Sequence, residues 1–305
     1  MLKKLSTRGE VEVFKQISPI ADRYQATVYR KVRIADVVDI KQLDTGSLGS
    51  YALAAHLDFV IAEKTEQPQF ALEFDGPGHS PSHDHKKDRI CCLAFLALFR
   101  VDLLSTRIET AQLRFLEYLM HLWFLGNQFK EMLATGILPA DEAFMMSGFL
   151  RPDAKNIFDS EFNLLGQARG KLVRFCKKSN LPGGPCWHLL LTEALLVRDV
   201  GDYVAFCSFP VNAMRLYGRA VVGLKTPQLG ALADLPFARH EIGQFCTALA
   251  IEDLVEEIKL HQSSAGHAVR MQHDVMSEIN ILNHQGYKTL LASYSRHDEL
   301  AKAVF

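Results

Sequence analysis

Apolar and polar positions alternate in short runs through the first hundred residues and recur at helical spacing over much of the remainder. Val13, Ile17 and Ile20 lie on one stripe, so residues 6–24 read as a helix. Ser6 or Thr7 would cap it, Glu10 and Glu12 suit its positive end, and Pro19 is expected to bend or end it. Residues 24–34 alternate apolar positions with Arg30, Lys31 and Arg33 and read as a strand beside that helix. Residues 35–50 show no period and read as a loop. Two apolar runs, 57–62 and 69–74, are separated by a polar connector containing Pro68, which is how a β-hairpin reads. After a Gly-Pro-Gly turn at 76–78 come a helical segment over 84–94 and a third apolar run ending at Arg100 and Val101.

Beyond residue 105 the period lengthens. Leu113, Leu116, Leu119 and Trp123 predict a long core helix over 105–135, with Gly126 as a candidate interruption. Residues 136–164 are mixed, with Pro139 and Pro152 as breakers, and 164–178 read as a basic helix ended by the Pro- and Gly-rich turn at 182–185. Residues 189–224 hold β-rich runs, and helices follow over 241–260 and about 265–282, the second carrying His267, Arg270 and His273. The fold class is α/β (α+β). A first domain over 1–104 is followed by an accessory, mostly helical α+β region over 105–305.

Composition narrows the function classes. Of 305 residues, 34 are Lys or Arg and 35 are Asp or Glu, so no global charge pulls the chain towards nucleic acid or membrane. Any nucleic-acid site must rest on local patches. Six cysteines include no CxxC pair and read as reduced, mostly buried thiols. The start MLKKLSTRGEVEVF has no long apolar stretch after its lysines, and no uninterrupted apolar run is of membrane-spanning length. The expectation is a cytoplasmic protein with no membrane partner.

The chemistry concentrates around the hairpin. Asp58 opens its first strand, and Glu73 and Asp75, two residues apart on the second, point to one face. Three carboxylates with lysines arriving from the next helix suit a hard divalent cation and a phosphate. Taken singly, each has a plainer reading. Asp58 could be a turn residue, Glu73 and Asp75 could end an edge strand, Lys86 and Lys87 could be surface lysines, and His79, His83 and His85 could lie in a solvated loop. The histidine spacing admits zinc, but no cysteine is close to them and the acids favour a harder cation.

Asp58, then Glu73-x-Asp75-Gly76, then His79, Lys87-Asp88 and Arg100 together resemble the PD-(D/E)XK nuclease superfamily. The branch resembled contains very-short-patch-repair-type endonucleases and related uncharacterised bacterial proteins. Gly9-Glu10 before Phe14 resembles the acid of the superfamily's first helix, and KVRIADVV at 31–38 resembles the strand and turn after it. The likeness spans about residues 5–103. It implies a restriction-endonuclease-like mixed four-stranded sheet flanked by helices, with Mg²⁺ or Mn²⁺ held by Asp58 and Glu73, assisted by Asp75. The implied reaction is attack of water on a DNA phosphodiester. The family's lysine would stand at position 75, where this chain has Asp75, so Lys87 is expected to supply the charge, with Lys86 as substitute. Glu10 and His79 would assist, His79 as proton acceptor. Phe95 departs from the glycine usual before the last strand.

Arg30, Lys31, Arg33, Lys86 and Arg100, and on the later basic helix Lys171, Arg174, Lys177 and Lys178, are the candidate nucleic-acid contacts. Two functions follow. One is a metal-dependent DNA endonuclease or nickase in repair, mobile-element processing or anti-phage defence. The other is a module in which Asp75 marks a lost active site, binding nucleic acid or a protein partner. The near-neutral charge leaves room for such a partner to supply DNA affinity.

Overall fold

The computed structural model describes residues 7–43, 47–74, 81–101, 110–150, 152–156, 159–181, 190–198, 201–212, 214–225, 238–263 and 270–293. The chain divides into two compact units. Met1–Leu103, Gln112–Ala140 and Leu224–Pro236 make the first; Leu104–Ala111, Asp141–Gly223 and Phe237–Phe305 make the second.

The first unit opens with helix α1 (Arg8–Arg23), started by a capping box in which the Thr7 hydroxyl accepts from the Glu10 amide and Glu10 accepts from the Thr7 amide. Pro19 does not end it, contrary to expectation: the helix runs on for four residues. Proline costs the ladder only the bond to the Lys15 carbonyl, and burial of Ile17, Ile20 and Ala21 outweighs that loss. Strand β1 (Ala26–Arg33) follows.

The expected loop at 35–50 is instead largely helical. It contains α2 (Ile34–Val37), a 3-10 turn at Ile40–Gln42 and α3 (Ser47–Ala54). These pieces are too short for a period to show, and they form because Ile34, Val38, Leu43, Leu48 and Ala52 enter one core with Leu57, Val60, Ala71, Ile90 and Leu98.

The hairpin is β2 (His56–Glu63) with β3 (Pro68–Phe74), and α4 (Pro81–Leu93) crosses to β4 (Ala97–Val101). Strands run in the order β1-β2-β3-β4, antiparallel except for the parallel β3–β4 pair. The turn after α4 is a Schellman motif: the Leu96 amide donates to the Cys91 carbonyl at 2.9 Å and the Phe95 amide to that of Cys92 at 3.2 Å. Phe95 takes its left-handed position, at φ 55°, and is 93% exposed.

Helix α5 (Ala111–Ala134) runs unbroken through Gly126, against expectation, because that glycine is buried among core residues of the helix. Its Trp123 ring lies 4.9 Å from Phe70 and 5.6 Å from Phe99, covering the sheet face opposite the α3–α4 core.

The second unit contains α6 (Leu164–Lys178) and an antiparallel sheet in the order β7-β6-β5-β8, made of β5 (Thr192–Arg198), β6 (Asp202–Val211), β7 (Met214–Lys225, whose last two residues count with the first unit) and β8 (Lys288–Ser293). Helices α7 (Ala238–Ser263) and α8 (Gln272–His284) complete it. β8 is a strand that the sequence pattern did not predict. Val275, Ile279 and Leu282 of α8 pack on Ala194, Leu196, Val204, Phe206 and Tyr217. On β7, Gly218 brings backbone against backbone: a Cβ there would sit 2.1 Å from the Ala250 carbonyl oxygen and 2.5 Å from the Leu254 amide nitrogen of α7.

Cys91, Cys92, Cys176, Cys207 and Cys246 carry no disulfide, all but Cys92 being buried. Cys186 and the 182–185 turn lie outside the described residues. Among the described residues no helix is long and apolar enough to cross a membrane.

Candidate functional site

Strand register builds the site. Phe59 pairs with Leu72, so Asp58 and Glu73 are the next cross-strand neighbours, and Glu73 pairs with Arg100 of the parallel strand. On the other side, Arg30 pairs with Phe59 and Val32 with Leu57, which puts Lys31 opposite Asp58. The four strands therefore carry a row of side chains, Lys31, Asp58, Glu73 and Arg100, with two acids in the middle and a cation at each end. Asp84, Lys87, Asp88 and Cys91 share one stripe of α4 at helical spacing, and that stripe lies over the same sheet face.

The contacts follow from this placement. Lys87 donates its ammonium to Glu73 Oε2 at 2.7 Å. The other carboxylate oxygen, Oε1, accepts from the backbone amide of Asp58 at 3.3 Å. Arg100, only 4% exposed, approaches Glu73 at 3.8 Å and donates to Asp84 at 3.1 Å and Asp88 at 2.9 Å. It thereby ties α4 to β4 and fixes the turn of helix that carries Lys87. Lys31 bridges Asp58 Oδ1 at 2.6 Å and Glu10 Oε1 at 2.9 Å.

Burial of Glu73 raises its carboxyl above the ordinary range, assisted by the neighbouring Asp58 and opposed by Lys87 and Arg100. Burial lowers Lys31, but its hydrogen bonds to Asp58 and Glu10 together outweigh that and raise it. Burial likewise pulls Arg100 down while Asp88, Glu73 and Asp84 raise it further, so it stays a fixed cation. The Cys91 thiol beneath is pushed up to about 12 by burial and stays protonated.

The donor set fits a hard cation. Two carboxylates stand side by side, and ammonium groups already stand in as cations at 2.6–2.9 Å from Glu10, Asp58 and Glu73. Among the described residues no group of three or more His, Cys, Asp or Glu side chains is placed to hold a metal ion, so a cation here would rest on the Asp58–Glu73 pair with water in its other positions. Asp75 and His79 lie outside the described residues.

Several other candidates are engaged elsewhere. Arg30 lies over the Phe14 ring at 4.7 Å, Arg33 pairs with Asp36 at 2.6 Å, and Lys86 lies 5.4 Å over Tyr51. On α6, Lys171 pairs with Glu252 at 2.6 Å, while Arg174, Lys177 and Lys178 are exposed. Sequence reasoning placed Lys31 among nucleic-acid contacts and missed its tie to the acids. It also missed Asp84 and Asp88 as partners of Arg100. The signal for the first was the β1–β2 register; for the second, it was the four-residue spacing of two acids on one helix face.

No curated protein and no solved structure matches the chain. Residues 2–113, which hold α1–α4, β1–β4 and thus the whole acid–lysine row, are similar to a family described as Protein of unknown function (DUF2726).

Proposed function

We propose that the first unit is a metal-dependent phosphodiester hydrolase of restriction-endonuclease-like fold, related to the PD-(D/E)XK superfamily and acting on DNA. One observation carries this reading. Asp58 and Glu73 stand together on adjacent strands, and Lys87 delivers an ammonium to Glu73 at 2.7 Å from a helix rather than from position 75. The mixed strand order with a parallel β3–β4 pair supports the fold. Asp58 and Glu73 would hold the cation, which when bound would supply Lewis acidity and an acidified water. Lys87 neutralises charge developing on the phosphate, the role that Asp75 cannot fill. Arg100 holds α4 so that Lys87 keeps its place. His79 is the proton acceptor in this scheme.

A second reading has its own observation: Glu10, Asp58 and Glu73 each already face a protein cation, a closed arrangement that suits a nuclease-like module without catalysis. Plasmid nicking with Mg²⁺ or Mn²⁺ separates the two. Asp58→Ala and Glu73→Ala are expected to abolish nicking, and Lys87→Ala to slow it by about 10²–10³. Nicking that persists in both acid variants removes the site. A wild type that binds DNA without cutting it supports the second reading.

A further inference from the structure

Lys31 is out of keeping with its strand. Its φ is 51°, the left-handed region, yet ladder pairs flank it on both sides, Arg30 with Phe59 and Val32 with Leu57. The other described residues that combine a side chain with positive φ, Gln25, Glu66, Phe95, Asn180 and Asn212, lie at turns or element ends. A lysine in the middle of a strand gains nothing from this geometry locally, so its surroundings must hold it there. The two carboxylates do so. The twist also breaks strict alternation, so that Arg30 and Lys31, consecutive in sequence, both reach α1, at Phe14 and Glu10.

Exposure shows which way this contact opens. The Lys31 side chain is 39% exposed, whereas those of Glu10 and Asp58 are 12% and 11% exposed. Lys31 is therefore the most exposed member of the contact, the one an incoming cation would meet first. Glu10 is anchored independently, its second oxygen accepting from the Thr7 amide at 3.0 Å. Lys31 thus has a fixed partner to keep if it releases Asp58, and its four-carbon stem can make that move without help from the backbone.

On the reading that Asp58 binds a divalent cation, we propose that Lys31 is a tethered competitor: it holds Asp58 in the metal-free protein and withdraws onto Glu10 when the cation arrives. The displacement follows from charge. An ammonium and a divalent ion held by one carboxylate repel each other, and the doubly charged ion attracts that carboxylate more strongly. Metal binding then carries a built-in cost, and the loaded protein presents an ammonium freed from the acid it had covered.

Calorimetric titration with Mn²⁺ alone tests this in the full chain, comparing wild type with Lys31→Met, Lys31→Gly and Asp58→Ala. Glycine accepts the left-handed backbone, so the second Lys31 variant also relieves the strain. Both Lys31 variants are expected to bind Mn²⁺ roughly tenfold more tightly than wild type. In parallel, amine acylation of wild type read by mass spectrometry should rise at Lys31 on adding Mn²⁺, a readout that needs no variant to fold. Equal or weaker Mn²⁺ binding by the Lys31 variants, or acylation that is unchanged or falls with Mn²⁺, overturns the competition and leaves Lys31 as a tie between α1 and β1. Mn²⁺ binding that persists in Asp58→Ala, or is absent from wild type and both Lys31 variants, instead overturns the metal reading of Asp58, and the competition with it.

Discussion

Glu73 is the residue on which burial, strand register and α4 all converge, and its ionisation sets a pH signature. At 1% exposure it is ionised only against the penalty of burial, and Lys87 offsets part of that penalty. The sign follows. Because the folded-state pKa is raised, the stability linked to Glu73 is fully present below the ordinary value of 4.5 and is lost as pH rises through the raised one. Glu73→Gln lacks this linkage. Urea midpoints of wild type and Glu73→Gln, compared from about pH 4 to pH 7, are therefore expected to diverge in favour of the glutamine variant. Parallel curves would mean that Lys87 and Arg100 cancel the burial penalty completely.

At the scale of elements, Phe95 is the clearest misfit. It occupies the left-handed end of the α4 Schellman turn, the position glycine fills most often, and with 93% exposure it has almost no packing to lose. Phe95→Gly is expected to gain about 1 kcal/mol in urea denaturation, the relief of the Cβ clash less the entropy of glycine. Loss of stability would reveal a packing role for the ring. The elements also show where sequence was a sufficient guide. The hairpin and the basic helix α6 were legible because alternation and helical stripe run cleanly through them. Helices α2 and α3 were not, since a single turn or two leaves no period and the core residues that stabilise them come from distant strands. Pro19 does not end α1 and Gly126 does not interrupt α5 for a related reason, tertiary burial outweighing local preference. Within the site, Asp58, Glu73 and Lys87 were legible as residue types in order, and their meeting is seen in the contact of Lys87 with Glu73. The position of Lys31 was not, because a positive φ inside a strand leaves no mark on the sequence.

Across the whole molecule, cations are engaged more than the count of 34 suggests. Lys31, Lys87, Arg100 and Arg169 all meet carboxylates, so the exposed Arg174, Lys177 and Lys178 carry more weight in any contact with a phosphate backbone. The metal candidates lie in the first unit and these three residues in the second, which makes division of labour between the units an experimental question. The close approach at Gly218 supplies a one-position handle for it. Because a Cβ there would strike the backbone of α7 rather than a movable side chain, Gly218→Val places its clash within the second unit. If Asp58 and Glu73 hold a divalent cation as proposed, such a variant is expected to lose part of its calorimetric unfolding heat while keeping Mn²⁺ binding that depends on Asp58, and loss of that binding would tie the cation site to the second unit.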